Sequence, residues 1–190
     1  HGELGCPPCE VVATAGVCAS GMLAIKYAWM SVMTDMARLA VATGSEISSS
    51  GMRAAQFPPR READEERIEK NLLVAFEQEF LRWMLSDGAG AVCITPHPAP
   101  RGLSLRIDWI DMISHAGEME ACMYWGARKR EDGRLEGWRE LDDPLEGLRQ
   151  GGMNLTQDGR LLGREGGSRC INAAFPRIRE KRGLRPDEVD

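Results

Sequence analysis

The sequence has few aromatic residues and no excess of positive charge. Aromatic side chains make up 6% of the 190 residues, and the net charge is -5. A mildly acidic chain has no overall field that attracts nucleic acid or an anionic membrane surface, so we expect neither partner. Apolar residues at 43% and charged residues at 28% are typical of a globular protein with one domain or two small ones.

A long uninterrupted hydrophobic run is also lacking. The most apolar stretch, residues 17–36, contains Lys26 and Asp35 and is broken by Ser20 and Gly21. We therefore expect a core helix buried on several sides, and no membrane span. The sequence shows no signal peptide, which favours a cytoplasmic protein.

The six cysteines do not have the density of a disulfide scaffold, and we expect them to be reduced. Cys6 and Cys9 have the spacing of half a zinc site, but no second cysteine pair follows them. We therefore expect no bound metal and no cofactor.

The periodicity of apolar residues predicts an α/β layered fold. A short strand, a turn of small residues, a buried helix and a second strand follow one another near the start of the chain. The predicted strands are 9–14, 39–43, 92–95 and 103–113, and the predicted helices are 19–36, 68–80 and 172–182. Pro96, Pro98 and Pro100 indicate a boundary after residue 95, and Gly183 is expected to end the last helix.

Cys18 lies where a strand is expected to give way to the buried helix. The first amides of a helix carry partial positive charge, which stabilises an adjacent thiolate and the oxyanion formed when a thioester carbonyl is attacked. Glycine and alanine neighbours would let the backbone turn sharply. The simpler interpretation is that Cys18 is a small packed residue, and the pattern alone does not exclude it.

Four segments in order resemble one enzyme family. The segment V-V-A-T-A-G-V-C-A-S-G-M-L-A-I-K-Y-A around Cys18 is similar to the nucleophile region of β-ketoacyl-acyl carrier protein synthase III and its thiolase-superfamily relatives. A-V-A-T-G-S-E at 40–46 and S-D-G-A-G-A-V at 86–92 resemble the next conserved strands of that family, with Ser86 in place of a usual glycine. R-G-L-R-P-D-E-V-D at 182–190 resembles the approach to the strand that carries its catalytic histidine.

The middle of the chain departs from the housekeeping enzymes of this family. S-H-A-G-E-M-E-A-C-M-Y-W-G-A at 114–127 looks more like the branch that makes dialkylresorcinol, cyclohexanedione or aryl-polyene products. In this segment His115 and Glu118 are candidates for lining the substrate pocket. The alternative is that both are solvated surface residues. Asp87, in the turn that precedes the 88–92 strand, is expected to be structural.

The resemblance implies a five-layered αβαβα thiolase fold built from two similar halves, as a homodimer. Residues 1–95 would be the closing part of the first half and 96–190 the opening part of the second. It also implies a Claisen condensation in lipid or polyketide-like biosynthesis, with acyl-CoA and acyl carrier protein thioesters as substrates and Cys18 as the acylated catalytic residue. The family's catalytic histidine and asparagine would lie beyond Asp190, so we expect this chain alone not to complete the condensation.

Other readings of the sequence remain open. The chain could be a non-catalytic thiolase-fold subunit, or a hydrolase that uses Cys18, His115 and Asn172 in the order of papain-like enzymes. Residues 163–169 (G-R-E-G-G-S-R) could cradle a phosphate, although a flexible surface loop is favoured. Four arginines, at positions 53, 60, 61 and 67, could dock the acidic helix of a carrier protein.

Overall fold

The computed structural model describes residues 3, 5–53, 69, 81, 83–143, 145, 147 and 154–188. These residues form a mixture of helices and small sheets, which is compatible with the α/β class. They divide into two compact units. The first unit comprises His1–Glu46 and Gly88–Ile110, and the second comprises Ile47–Asp87 and Asp111–Asp190. The division into two thiolase-like halves at residue 95 stays a prediction.

The first unit consists of one helix packed on a two-stranded sheet. Helix α1 spans Ser20–Met33, strand β1 spans Ala40–Glu46, and strand β2 spans Gly88–Ile94. The strands pair antiparallel, in a register that runs from Ala40 opposite Ile94 to Glu46 opposite Gly88. The helix expected at 19–36 and the strands expected at 39–43 and 92–95 are therefore found, with both strands longer than predicted.

The core of the first unit is small and apolar. Ala28 and Val32 of α1 meet Ala42 of β1 and Ile94 of β2. The rest of α1 is less buried than its sequence predicts, since Met33 is 66% exposed. The expectation that the helix is buried on several sides is wrong for this structure, because the described residues cover only its sheet-facing side.

Helix α1 ends in a short-range network of backbone and side-chain contacts. The Thr34 hydroxyl donates to the Met30 carbonyl at 2.8 Å, and Asp35 adopts a left-handed conformation with φ 58°. Aspartate tolerates this conformation better than most residues, and it reverses the chain toward β1.

Two predicted strands, 9–14 and 103–113, are not formed. Both segments run without regular secondary structure, and Val11 and Leu103 are 75% and 87% exposed. A strand needs a neighbour to pair with as well as an alternating sequence, and neither segment pairs with a strand in the part of the chain that the structure describes. The helix predicted at 68–80 lies outside the described residues except for Glu69.

The described residues of the second unit form short strands and one long helical stretch. Its first helix is α2 (Ser48–Gly51). Its strands are β3 (Met123–Trp125), β4 (Ala127–Lys129), β5 (Leu135–Gly137) and β6 (Leu155–Gln157). Strands β3 and β6 pair antiparallel, and β4 and β5 form a separate hairpin. Gly133 lies in the hairpin turn with φ 82°, a conformation that glycine adopts at little cost.

The helical stretch follows β6 directly. It comprises α3 (Gly159–Leu161), a π-helix (Leu162–Ala173) and α4 (Ala174–Arg182). The Asp158 carboxylate caps its start by accepting a hydrogen bond from the Leu161 amide at 2.9 Å. The prediction of a flexible loop at 163–169 is therefore wrong, since these residues lie within the π-helix.

Helix α4 ends at the predicted residue. Gly183 has φ 63°, and its amide donates to the Glu180 carbonyl at 3.4 Å, while the Leu184 amide donates to the Arg179 carbonyl at 3.1 Å. These two bonds form the Schellman motif, which favours glycine because of its left-handed conformation. Among the described helices, none has both the length and the apolar character needed to cross a membrane.

Candidate functional site

Cys18 lies in a single 3₁₀ turn, Val17–Ala19, that leads directly into α1. Its thiol is exposed, so a substrate carbonyl can reach it without displacing the core. The helix start that the sequence predicts at this cysteine is therefore observed. Cys93 is also an exposed free thiol.

The turn before Cys18 is strained. Val17 has φ 50°, a left-handed conformation in which a β-branched residue is a genuine outlier. Such strain costs on the order of 1–3 kcal/mol and is concentrated at functional sites. The sequence predicted that small glycine and alanine neighbours would let the backbone turn here, but Gly16 has φ 179°, a value that any residue can adopt. The sharp change of direction falls on the residue next to the cysteine instead.

Side-chain hydrogen bonds hold this turn in place. The Ser20 hydroxyl donates to the Val17 carbonyl at 2.8 Å, and the Thr14 hydroxyl donates to the Ser20 carbonyl at 2.9 Å. Gly16 also packs closely: a Cβ added there would lie 2.6 Å from Cδ1 of Leu23. These contacts oppose relaxation of Val17 and so keep Cys18 at the start of the helix.

His115 and Glu118, the two predicted pocket residues, lie in one turn of the second unit. The Glu118 amide donates to the His115 carbonyl at 2.9 Å, and His115 Nδ1 lies 3.6 Å from Glu118 Oε2. Arg169, from the π-helix, approaches the same Glu118 oxygen at 3.0 Å. Glu118 is therefore oriented by a residue distant in sequence, and sequence reasoning did not identify Arg169.

The imidazole of His115 is largely buried and has no hydrogen-bond partner in the described structure. Both of its ring nitrogens are enclosed, and neither forms a hydrogen bond within the described structure. A buried polar group without a partner costs about 1–3 kcal/mol, so a hydrogen-bond partner for this ring would be stabilising. Asn172 makes no hydrogen bond to this imidazole within the described structure, and the Cys-His-Asn hydrolase stays an alternative prediction.

Asp111 forms an ion cluster that the sequence analysis missed. Its carboxylate accepts hydrogen bonds from Arg182 Nε at 2.6 Å and Lys181 Nζ at 2.6 Å, although its side chain is only 6% exposed. The hydrogen bonds from Arg182 and then Lys181 hold the pKa of Asp111 well below its usual range, against the opposing effect of burial. The available signal was an aspartate inside the apolar run W-I-D-M-I at 109–113.

The contacts of Asp87 are structural, as its position in the turn before β2 suggested. It accepts hydrogen bonds from the Ser49 hydroxyl at 2.6 Å and the Ser49 amide at 2.8 Å, and these bonds lower its pKa. Ser48 makes a parallel contact with the Ser86 carbonyl at 3.2 Å. The carboxylate therefore joins two chain segments and has both its oxygens engaged.

The structure adds little support for the remaining candidate sites. No group of three or more histidine, cysteine or acidic side chains able to hold a metal occurs among the described residues. Arg53 is exposed, whereas the other three arginines of the predicted carrier-protein surface, at 60, 61 and 67, lie outside the described part of the chain. Cys18 belongs to the first unit, and His115 and Glu118 belong to the second.

Comparison with known proteins gives no further assignment: no family model matches the sequence, and no curated protein matches it either.

Proposed function

We propose that the protein is an acyltransferase of the β-ketoacyl-acyl carrier protein synthase III type, in which Cys18 carries the acyl group as a thioester. The observation that carries the proposal is the exposed Cys18 thiol at the start of α1, directly after the strained Val17. The four sequence segments that resemble this family support it independently. Exposure is shared with Cys93, so what distinguishes Cys18 is its place at the start of α1 beside the strained Val17.

The acylation step follows from the position of Cys18. The thiolate attacks the carbonyl carbon of an acyl thioester, and a new carbon–sulfur bond forms as the carbonyl oxygen takes up negative charge. Backbone amides at a helix start can donate to such an oxyanion. The intermediate collapses by breaking the original carbon–sulfur bond, and the released carrier thiolate then takes a proton. The acyl group is left on Cys18.

The second half-reaction would form a carbon–carbon bond. A malonyl-type thioester loses carbon dioxide, and the resulting enolate carbon attacks the acyl-Cys18 carbonyl, which releases the Cys18 thiolate. Within this proposal the substrates are acyl-CoA and acyl carrier protein thioesters, and the protein is a cytoplasmic homodimer of the thiolase αβαβα fold. His115 and Glu118 would contact the acyl or extender group, with Arg169 holding Glu118 in position.

Intact-protein mass spectrometry after incubation with octanoyl-CoA tests the acylation step. We expect one octanoyl adduct that hydroxylamine removes, as it removes thioesters. The adduct should be absent from Cys18→Ala and fully retained in Cys93→Ala, which removes another exposed thiol from the same unit. An adduct that persists in Cys18→Ala would refute the proposal. No adduct in the unaltered protein would instead favour a non-catalytic thiolase-fold subunit.

A further inference from the structure

We draw no further inference here: the strongest candidate, the apolar face of helix α1 that exposes Met22, Met30 and Met33, carries none because nothing among the described residues shows what covers it.

Discussion

The described core of the first unit is entirely apolar, whereas the described residues of the second unit bury the polar side chains of Glu136 and Gln157 as well as the apolar Leu161 and Ala174. Glu136 is paired with Arg128, which lies opposite it in the β4–β5 hairpin, and with Arg130. The first unit thus relies on contact between small apolar residues. The second relies on charged groups that must be matched in pairs.

This difference has a consequence for how each unit responds to its surroundings. Apolar burial depends weakly on pH and salt, whereas a buried carboxylate is stabilising only while it is ionised and paired. A buried pair is also strongly destabilising when one partner is removed. Acid and different classes of mutation should therefore destabilise one unit more than the other.

Acid should produce the largest difference between the units. Among the residues that the structure describes, hydrogen bonds and neighbouring charges lower the pKa of four carboxylates, and all four lie in the second unit: Asp87, Asp111, Glu136 and Asp158. Because their pKa values are lower when folded than when unfolded, their contribution is complete above the unfolded values, about 4. It is lost as the pH falls from there through the folded values.

Hydrogen exchange followed by mass spectrometry, corrected for intrinsic rates, measures this effect. Between pH 6 and pH 3 we expect protection to fall in residues 123–137 and 155–182, while 20–33 and 40–46 keep theirs. An equal loss in both sets would show that the units do not differ in the way their cores suggest.

The second largest effect should come from shortening a core side chain of the first unit. Ile94→Ala removes a side chain that is 7% exposed from a small apolar cluster, and we expect a loss of about 2–4 kcal/mol. The same loss should appear at low and high salt in urea unfolding of the first unit. Val92→Ala, on the same strand but 45% exposed, should cost less than about 1 kcal/mol. Similar costs for the two variants would contradict the packing described.

Two substitutions of Asp158 separate the contribution of its charge to stability from that of its helix cap. Their effect should be the smallest of the three. Burial opposes ionisation of Asp158, but the Leu161 amide and Lys129 prevail and lower its pKa. Asp158→Asn removes the ion pair with Lys129, at 3.0 Å, and keeps an oxygen that can cap the helix. Asp158→Ala removes both.

We expect Asp158→Ala to destabilise the second unit by about 1 kcal/mol more than Asp158→Asn, as measured by urea unfolding. High salt should reduce the effect of Asp158→Asn and leave the difference between the variants unchanged, because only the ion pair is screened. Identical stabilities for the two variants would mean that the cap contributes nothing.

Local sequence patterns were sufficient for elements whose cause is local. The apolar run predicted the bounds of α1 to within a few residues. The position of Gly183 predicted the end of α4, because a left-handed C-cap depends on one residue. Strands 9–14 and 103–113 were predicted wrongly because pairing depends on a neighbour that the pattern does not specify. The π-helix was missed because three glycines within 163–169 resemble a loop, while the Asp158 cap lies outside that segment.

The candidate sites show the same limit. Cys18 at a helix start and the contact between His115 and Glu118, three residues apart, could be inferred from spacing. The Arg169–Glu118 pair joins residues 51 apart, and the Arg182–Asp111 pair joins residues 71 apart. Such contacts depend on the tertiary path of the chain. Val17 was not foreseen either, because glycine is the usual residue for its conformation.

The hydrogen bonds between Ser49 and Asp87 bear on how the protein can change in length during evolution. They join residues 38 apart, just beyond the point where Glu46 pairs with Gly88. The ends of the intervening segment are thus held together whatever its length. A change in the length of the chain between Ser49 and Asp87 that keeps this contact therefore leaves the strand pairing of the first unit intact.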